Sequence, residues 1–380
     1  MKSGKRQAFG VNIEAFGVHD IINSLADDVY VTDLERRIVF WNRAAREITG
    51  WQSVDILGRS CMDNILVHVD KDGHALCGHD NCPLHRAIVT DKHSGASILV
   101  FAQHSNGQRV PVEVSVAPLH DAKGKVIGGI EVFRDCTMLM DDLWRAKRIQ
   151  TNALGSPKFQ DPRIEFEVCY VPQEIIGGDF YHVERLDDDR FAAMVVDFMG
   201  HGVAAALYCM QLRSLWDELR GDLDRPARFM SDINQRINKL ANTDGYFATA
   251  VLLVADLDCE TITTVRAGHP PVLIFKGDKK VELFGKPSPA LGLFEDTGFV
   301  ETTGRFGVGD KVVLFTDGAT EIANHGDEEL GEHGLAHLLQ ETHAGDGRTA
   351  LEKLQEKLLG FSDQIQLTDD LTILTISRRA

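Results

Sequence analysis

The amino-acid pattern predicts an α+β protein with two folded regions and a helical connection. Three observations carry that prediction. A chain of 380 residues with 43% hydrophobic content has room for two or three domains, each with its own core. Up to about Thr137, short strand-like runs alternate with turn signals. After Arg163 strands come mostly in consecutive pairs with helix patterns clustered between the groups, which argues for largely antiparallel sheets packed between helices.

In the first region Val29–Asp33 and Ile38–Trp41 read as strands, and Asn42 is placed to cap a short helix from Arg43 to Ile48. Strands at Ala96–His104, Val110–Leu119 and Val126–Phe133 follow, separated by Asn106-Gly107 and Lys123-Gly124. Cys136–Ala153 reads as a helix. Leu139, Leu143, Ala146 and Ala153 fall near heptad spacing, with Gln150 in the remaining seam position. A short coiled coil and an amphipathic helix packed on one domain both fit that pattern. Gly155-Ser-Pro157 closes the connection. In the second region the strands are Ile164–Tyr170, Phe180–Arg185, Phe191–Asp197, Tyr246–Ala255, Thr261–Arg266, Val272–Phe275, Lys311–Thr316 and Leu371–Ile376. The helices are Val203–Leu219, Ala227–Leu240, Gly334–Thr342 and Thr349–Leu359.

The formal net charge of −17 excludes the basic footprint of a nucleic-acid binder and disfavours anionic membranes. No apolar run approaches the roughly 20 residues needed to span a bilayer. Met1–Gly10 is basic, but no apolar stretch follows it as a signal peptide requires. Seven scattered cysteines, an odd number, fit a reducing compartment. The expectation is a cytoplasmic protein with neither nucleic-acid nor membrane partners.

Four aspartate motifs punctuate the second region: Gly177-Gly-Asp-Phe-Tyr181, Asp197-Phe-Met-Gly-His-Gly202, Phe315-Thr-Asp-Gly318 and Asp369-Asp-Leu-Thr372. Each aspartate stands at a strand end or beside a glycine, where a carboxylate can project from a rigid scaffold with backbone carbonyls close by. Hard divalent cations such as Mg²⁺ and Mn²⁺ take oxygen ligands and retain several waters. Two such ions sharing a water require carboxylates converging from separate strands. A single Asp-Gly is usually only a turn; the ordered set is what carries the chemistry.

The set closely resembles the SpoIIE branch of the PPM (type 2C) protein phosphatases, from about Arg145 to the end. Ala146-Lys-Arg-Ile-Gln150, Tyr246-Phe-Ala-Thr-Ala250, Ala267-Gly-His-Pro-Pro271 and Ser288-Pro-Ala-Leu-Gly-Leu293 extend the resemblance. It implies a PPM α/β/β/α sandwich and hydrolysis of phosphoserine or phosphothreonine by metal-activated water, with no phospho-enzyme. It implies two Mn²⁺ or Mg²⁺ ions held by Asp179, Asp197, the Phe198 carbonyl, Asp317 and Asp369, with Asp370 either a ligand or a supporting acceptor. The same four aspartates, Asp179, Asp197, Asp317 and Asp369, are the implied catalytic set. Gly177-Gly-Asp-Phe180 is also similar to the Gly-Gly-Asp-Glu-Phe loop of diguanylate cyclases, but Phe180 stands where a cyclase needs a second acid. Relatives usually carry aspartate in place of His182. His201 has two readings: it shapes the Gly200-His-Gly202 turn or meets phosphate, or it is a general acid. His269 reads as part of a structural turn with Pro270 and Pro271.

In the first region Asp33-Leu-Glu-Arg-Arg-Ile-Val-Phe-Trp-Asn-Arg-Ala-Ala45, Thr49-Gly-Trp51, Ile56-Leu-Gly-Arg59, Arg109-Val-Pro-Val-Glu-Val114 and Gly128-Gly-Ile-Glu-Val-Phe-Arg-Asp135 resemble, in order, the landmarks of a PAS sensor domain. The implied fold is an antiparallel sheet with helices. The expected division is a tail at 1–12, a PAS domain at 13–136, a helical linker at 137–158 and the phosphatase at 159–380. Between the PAS landmarks lies a stretch holding Cys61, His68, His74, Cys77, His79, Cys82 and His85. Its spacing does not match a standard Cys-x₂-Cys finger. One reading is structural, with buried thiols and Pro83 starting a helix. The other makes Cys77 and Cys82 a cofactor or signal-input site for metal, haem or redox state, with the PAS ligand itself unidentified. By the same resemblance the substrate is a phosphorylated STAS-domain antagonist in a partner-switching pathway that frees a sigma factor. A homodimer through the PAS domain and linker helix is expected. The competing function is a catalytically degenerate phosphatase-like scaffold, for which His182 is the one sequence feature.

Overall fold

The computed structural model describes residues 17–78, 81–95, 97–154, 160–241, 245–277, 281–324, 326–342, 349–361 and 367–379. The expected tail at 1–12, His79 and the Gly155-Ser-Pro157 break lie outside the described residues. The chain divides into two compact units between Asp142 and Leu143.

The first unit is built on one antiparallel sheet. Its strands are β1 (Asp28–Asp33), β2 (Ile38–Trp41), β3 (Ile98–Gln103), β4 (Arg109–His120) and β5 (Val126–Asp135), in the order β2-β1-β5-β4-β3. Helices α1 (Val18–Asn23), α2 (Arg43–Thr49), α3 (Ser53–Ile56) and α4 (Pro83–Thr90) accompany it. On β4, Val112, Val114 and Val116 are buried while Glu113 and Ser115 face out, as the two-residue period of a strand dictates. Asn42 is the cap the sequence predicts. Its Oδ1 accepts from Ala45 N at 2.9 Å and Val29 N at 3.0 Å, and its Nδ2 donates to the Asp27 and Ile22 carbonyls. One buried amide therefore joins α2, β1 and the segment before β1. The core centres on Tyr30, Trp41 and Phe133, whose ring centroids lie 5.5 to 6.3 Å apart. Burial of each such side chain stabilises the fold by about 1.5–3 kcal/mol.

Helix α5 (Thr137–Leu154) contains the boundary between the units. Within the second unit Gln150 is buried, and its amide exchanges hydrogen bonds with both backbone groups of Gly177. The seam position assigned to Gln150 by heptad spacing is thus occupied by the first aspartate motif. A primary amide satisfies a backbone donor and acceptor together, which a hydrophobic seam residue cannot do.

The second unit is a four-layer sandwich. One sheet holds β7 (Asp179–Arg185), β8 (Arg190–Phe198), β9 (Ala248–Asp256), β10 (Thr261–Ala267) and β13 (Glu301–Arg305), in the order β13-β10-β9-β8-β7. The other holds β6 (Ile164–Val171), β11 (Val272–Phe275), β12 (Val281–Phe284), β14 (Lys311–Phe315) and β15 (Leu371–Arg378), in the order β12-β11-β14-β15-β6. Helices α6 (Gly202–Leu219) and α7 (Pro226–Ala241) cover the first sheet, and α8 (Gly331–Glu341) and α9 (Ala350–Phe361) cover the second. Every residue from Phe191 to Val196 on β8 is buried, because α6 and α7 cover one face and the second sheet covers the other. A strand enclosed on both faces reads as a continuous apolar run, as Phe191-Ala-Ala-Met-Val-Val196 does. Strands β12 and β13 carry no strand pattern in the sequence. Both are sheet edges, and Glu301-Thr-Thr-Gly-Arg305 buries none of its residues, so it carries no apolar alternation. Among the described residues no helix is long and apolar enough to cross a membrane.

Candidate metal centre

The four aspartate motifs arrive at one end of the sandwich from four strand ends. Asp179 opens β7 and pairs directly with Asp197 near the end of β8. Directly opposed residues hold their Cβ atoms roughly 4.5–5.5 Å apart on the same face. Asp317 begins a 3₁₀ turn just after β14, and Asp369 and Asp370 immediately precede β15, the neighbour of β14. Two glycines permit the approach. A Cβ on Gly318 would run into the Asp370 carbonyl oxygen, so only glycine lets the Asp317 turn lie against the last motif. A Cβ on Gly178 would fall 3.2 Å from the Phe198 carbonyl oxygen and 2.8 Å from Ala205 Cβ, so glycine brings the Phe198 carbonyl beside Asp179.

Two threonines fix Asp179. Thr316 Oγ1 donates to Asp179 Oδ2 at 2.9 Å, and Thr372 Oγ1 donates to the same oxygen at 2.6 Å. Thr316 Oγ1 in turn accepts from Thr372 N at 3.0 Å. The other oxygen, Asp179 Oδ1, is buried with no hydrogen-bond partner. Asp370 is used differently. Its Oδ1 accepts from Gln173 N at 2.6 Å and its Oδ2 from Gly178 N, so both oxygens are bound to backbone within the protein. Asp369 Oδ1 accepts from Asp370 N at 2.8 Å.

The electrostatics are those of acids forced together. Burial pushes Asp179 well above the usual carboxylate range, and the charges of Asp197 and Asp370 push it further. Asp197 is raised to about 8, first by burial and then by Asp317, Asp369, Asp370 and Glu321. Asp317 is raised by burial and by Asp369. Carboxylates in this arrangement either take up protons or are offset by a cation. The donor set is all oxygen, which suits a hard divalent ion, and the unpartnered Asp179 Oδ1 is a free ligand atom within it. The residues present therefore fit Mg²⁺ or Mn²⁺. Among the described residues, one group of three acidic, His or Cys side chains brings its ligand atoms within 4.8 Å of one another: Asp70, Asp72 and His74 of the first unit. There Asp70 accepts from Asp72 N, His74 N and His74 Nδ1, which closes a loop. The aspartates of the second unit are more widely spread, as suits ions that retain several waters.

Residues that the sequence pattern does not mark lie beside these aspartates. Thr316 and Thr372 lie inside the aspartate motifs, and Glu321 lies four residues after Asp317. Glu321 is raised by burial and by the charge of Asp317. The departure at His182 is resolved by strand alternation. Asp179 and Tyr181 share one face of β7, and His182 is on the other, its ring 5.0 Å from that of Trp216 on α6. Trp216 Nε1 donates to Glu184 at 2.5 Å, and burial lowers His182 to about 4, a neutral packed imidazole. His269 is buried and bonded to Thr249 Oγ1 at 2.8 Å, while its own carbonyl accepts from Arg266. His201 Nδ1 lies 2.6 Å from Glu174 Oε1.

In the first unit Cys82 is buried at the start of α4, and Cys77 Sγ accepts from His68 N at 3.1 Å. Burial raises the Cys77 thiol to about 11. Close by, His68 Nε2 and Glu131 Oε1 face each other at 3.6 Å, both buried and neither hydrogen-bonded. Burial lowers His68 to about 4 and raises Glu131 to about 8.

Comparison with known proteins follows the same division. Residues 187–379 match the family model described as Stage II sporulation protein E (SpoIIE), and residues 26–138 match a PAS domain model. The chain is 28% identical over 183 residues to phosphoserine phosphatase RsbP of Bacillus subtilis, covering 47% of this chain and 45% of that protein. It is 25% identical over 237 residues to phosphoserine phosphatase RsbU of the same organism, covering 62% and 69%. The match to RsbP thus spans less than half of that protein's length. The SiaA-PP2C domain of Pseudomonas aeruginosa superposes with a TM-score of 0.54 at 22% identity, over 64% of this chain and 98% of that one. The PP2C phosphatase domain of SpoIIE from Bacillus subtilis, with a fragment of its regulatory domain, gives 0.51 at 15%, over 75% and 80%. These likenesses show a PP2C fold.

Proposed function

This chain belongs to the Stage II sporulation protein E (SpoIIE) family, and from that premise we propose that it is a signal-regulated, metal-dependent protein serine/threonine phosphatase. The observation that carries the proposal is that Asp179, Asp197, Asp317 and Asp369 arrive at one end of the sandwich, where Asp317 and Asp369 help to raise Asp197 and Asp179 Oδ1 is buried without a partner. Asp179, Asp197, the Phe198 carbonyl, Asp317 and Asp369 hold two Mn²⁺ or Mg²⁺ ions. Asp370 is a supporting acceptor that ties the Gly177-Gly178 backbone to the last motif. Such ions, when bound, neutralise phosphoryl charge and lower the pKa of water. The chain's own part is positional. Thr316 and Thr372 orient Asp179, Gly178 and Gly318 bring the strand ends together, and the apolar sandwich behind them keeps the carboxylates rigid.

The domains divide as 13–136 for the PAS sensor, 137–158 for the helical connection and 159–380 for the phosphatase. Signal input is assigned to Cys77 and Cys82, with the buried His68 and Glu131 beside them. Two relatives carry the name phosphoserine phosphatase, which supports a phosphoserine protein as substrate; a phosphorylated STAS-domain protein of a partner-switching pathway is the specific candidate. The protein acts as a homodimer through the PAS domain and α5, in the cytoplasm. The test is phosphate release from a phosphoserine STAS-domain protein by the full chain with Mn²⁺. Turnover should stop with a chelator and in Asp197→Asn; full turnover in a folded Asp197→Asn protein would sink the assignment.

A further inference from the structure

We propose that Glu174 and His201, on the two loops that deliver Asp179 and Asp197, form a proton-donating pair. In it Glu174 holds Nδ1 of His201, and Nε2 protonates the departing seryl or threonyl oxygen. The inference rests on the phosphatase reading and adds to it a residue that touches the leaving group.

The placement is specific. Glu174 stands on the loop between β6 and β7, five residues before Asp179, and His201 stands between β8 and α6, four residues after Asp197. The two loops that deliver the paired aspartates are therefore joined to each other by the 2.6 Å contact from His201 Nδ1 to Glu174 Oε1. The backbone is shaped for it. Gly202 has φ +78°, and a Cβ there would lie 2.9 Å from Glu174 Oε2, so a side chain at this position would displace the carboxylate. His201 is the N-cap residue of α6, yet its side chain makes no capping bond; the imidazole turns to Glu174 instead. Both side chains are about half exposed, at 56% and 50%. A contact so open to water contributes little to folding, and it is open to a substrate. A carboxylate on Nδ1 fixes the tautomer and aims Nε2, the arrangement by which histidine serves as a general acid.

The reaction needs such a group. A seryl alkoxide is a poor leaving group. As water attacks phosphorus, the P–Oγ bond breaks, its electron pair stays on Oγ, and Oγ takes the proton from Nε2. The proton lost by the attacking water passes to solvent, and the imidazole is reprotonated from solvent before the next turnover. The products are the free hydroxyl side chain and inorganic phosphate. His201 is the catalytic residue in this scheme, and Glu174 is a positioning residue.

Leaving-group dependence tests the pair. The full chain with Mn²⁺ is assayed on a phosphoserine peptide and on p-nitrophenyl phosphate, whose phenolate departs without protonation. His201→Gln should lower kcat on the peptide by about a hundredfold and on p-nitrophenyl phosphate by less than about threefold. Glu174→Ala should show the same selectivity, and Glu174→Gln, which still accepts from Nδ1, should recover part of the loss. Equal losses on both substrates, or no loss on the peptide, would overturn the pair and leave His201 with the turn. Asp197→Asn is the control, expected to lose both substrates. If wild type hydrolyses neither, the phosphatase assignment itself fails.

Discussion

Thr372→Val probes how the candidate centre is held. The substitution nearly preserves side-chain volume at a fully buried position and removes one hydroxyl. That hydroxyl donates to Asp179 Oδ2 at 2.6 Å, alongside Thr316 at 2.9 Å. A hydrogen bond to a charged acceptor is worth about 1.5–3 kcal/mol, and one to a neutral acceptor about 0.5–1.5. Without metal, burial and the neighbouring acids favour the protonated form of Asp179, so the metal-free fold should lose only about 1 kcal/mol. With metal, Asp179 must be ionised, and the loss should be about 2 kcal/mol; the excess of about 1 kcal/mol over the metal-free loss is roughly fivefold in Mn²⁺ affinity. Thr316→Val should differ, because Thr316 Oγ1 also accepts from Thr372 N. Its loss leaves a buried N–H unpaired and should cost the fold about 1–3 kcal/mol more. Calorimetric Mn²⁺ titration with metal-free melting curves separates the two effects. If Thr372→Val bound Mn²⁺ within about twofold of wild type, Asp179 would not be an ion ligand oriented by these hydroxyls.

Asp369→Asn and Asp370→Asn should part company. Asp370 accepts from two backbone N–H groups through its two oxygens, so its amide version faces a donor with a donor and should destabilise the metal-free fold by about 1–3 kcal/mol in a melting experiment. Asp369→Asn should leave the metal-free melting temperature nearly unchanged and abolish the stabilisation by Mn²⁺. pH gives another outcome. Asp197 is raised to about 8 from an ordinary value of 3.8, by burial first and neighbouring carboxylates second. Between those values the folded metal-free protein binds more protons than the unfolded chain. The contribution of Asp197 is therefore fully present below pH 3.8 and lost as pH rises through 8. In chelator, Asp197→Asn should gain on wild type in melting temperature from pH 5 to pH 8, and Mn²⁺ should reverse the order. A gap independent of pH would mean that Asp197 is not so perturbed.

Much of this molecule was legible in its sequence, for reasons that also mark where legibility ends. The apolar run from Phe191 to Val196 announces a strand enclosed on both faces. Asn42 announces its helix start because capping is a local interaction. The edge strand Glu301–Arg305 buries nothing and so leaves no pattern to read. Its pairing depends on β10, roughly forty residues away in sequence. At the candidate centre the aspartates stand in short motifs with glycine neighbours, whereas their supports are set by tertiary approach. Nothing local says that Thr372 reaches Asp179, that Gln150 closes on Gly177, or that Glu174 meets His201. His182 is the converse case. It stands where relatives usually carry aspartate, and strand alternation places it on the face opposite Asp179, against Trp216.

Four aspartates from four strand ends are proposed to hold a pair of divalent ions. Crystals of the full chain grown with Mn²⁺, measured for anomalous scattering at the manganese edge, test it most directly. Two anomalous peaks are expected among Asp179, Asp197, Asp317 and Asp369, with the Phe198 carbonyl among their ligands and Asp370 still bound to the Gln173 and Gly178 amides. Fully loaded crystals with no peak among those aspartates, or with manganese only at Asp70, Asp72 and His74, would contradict it.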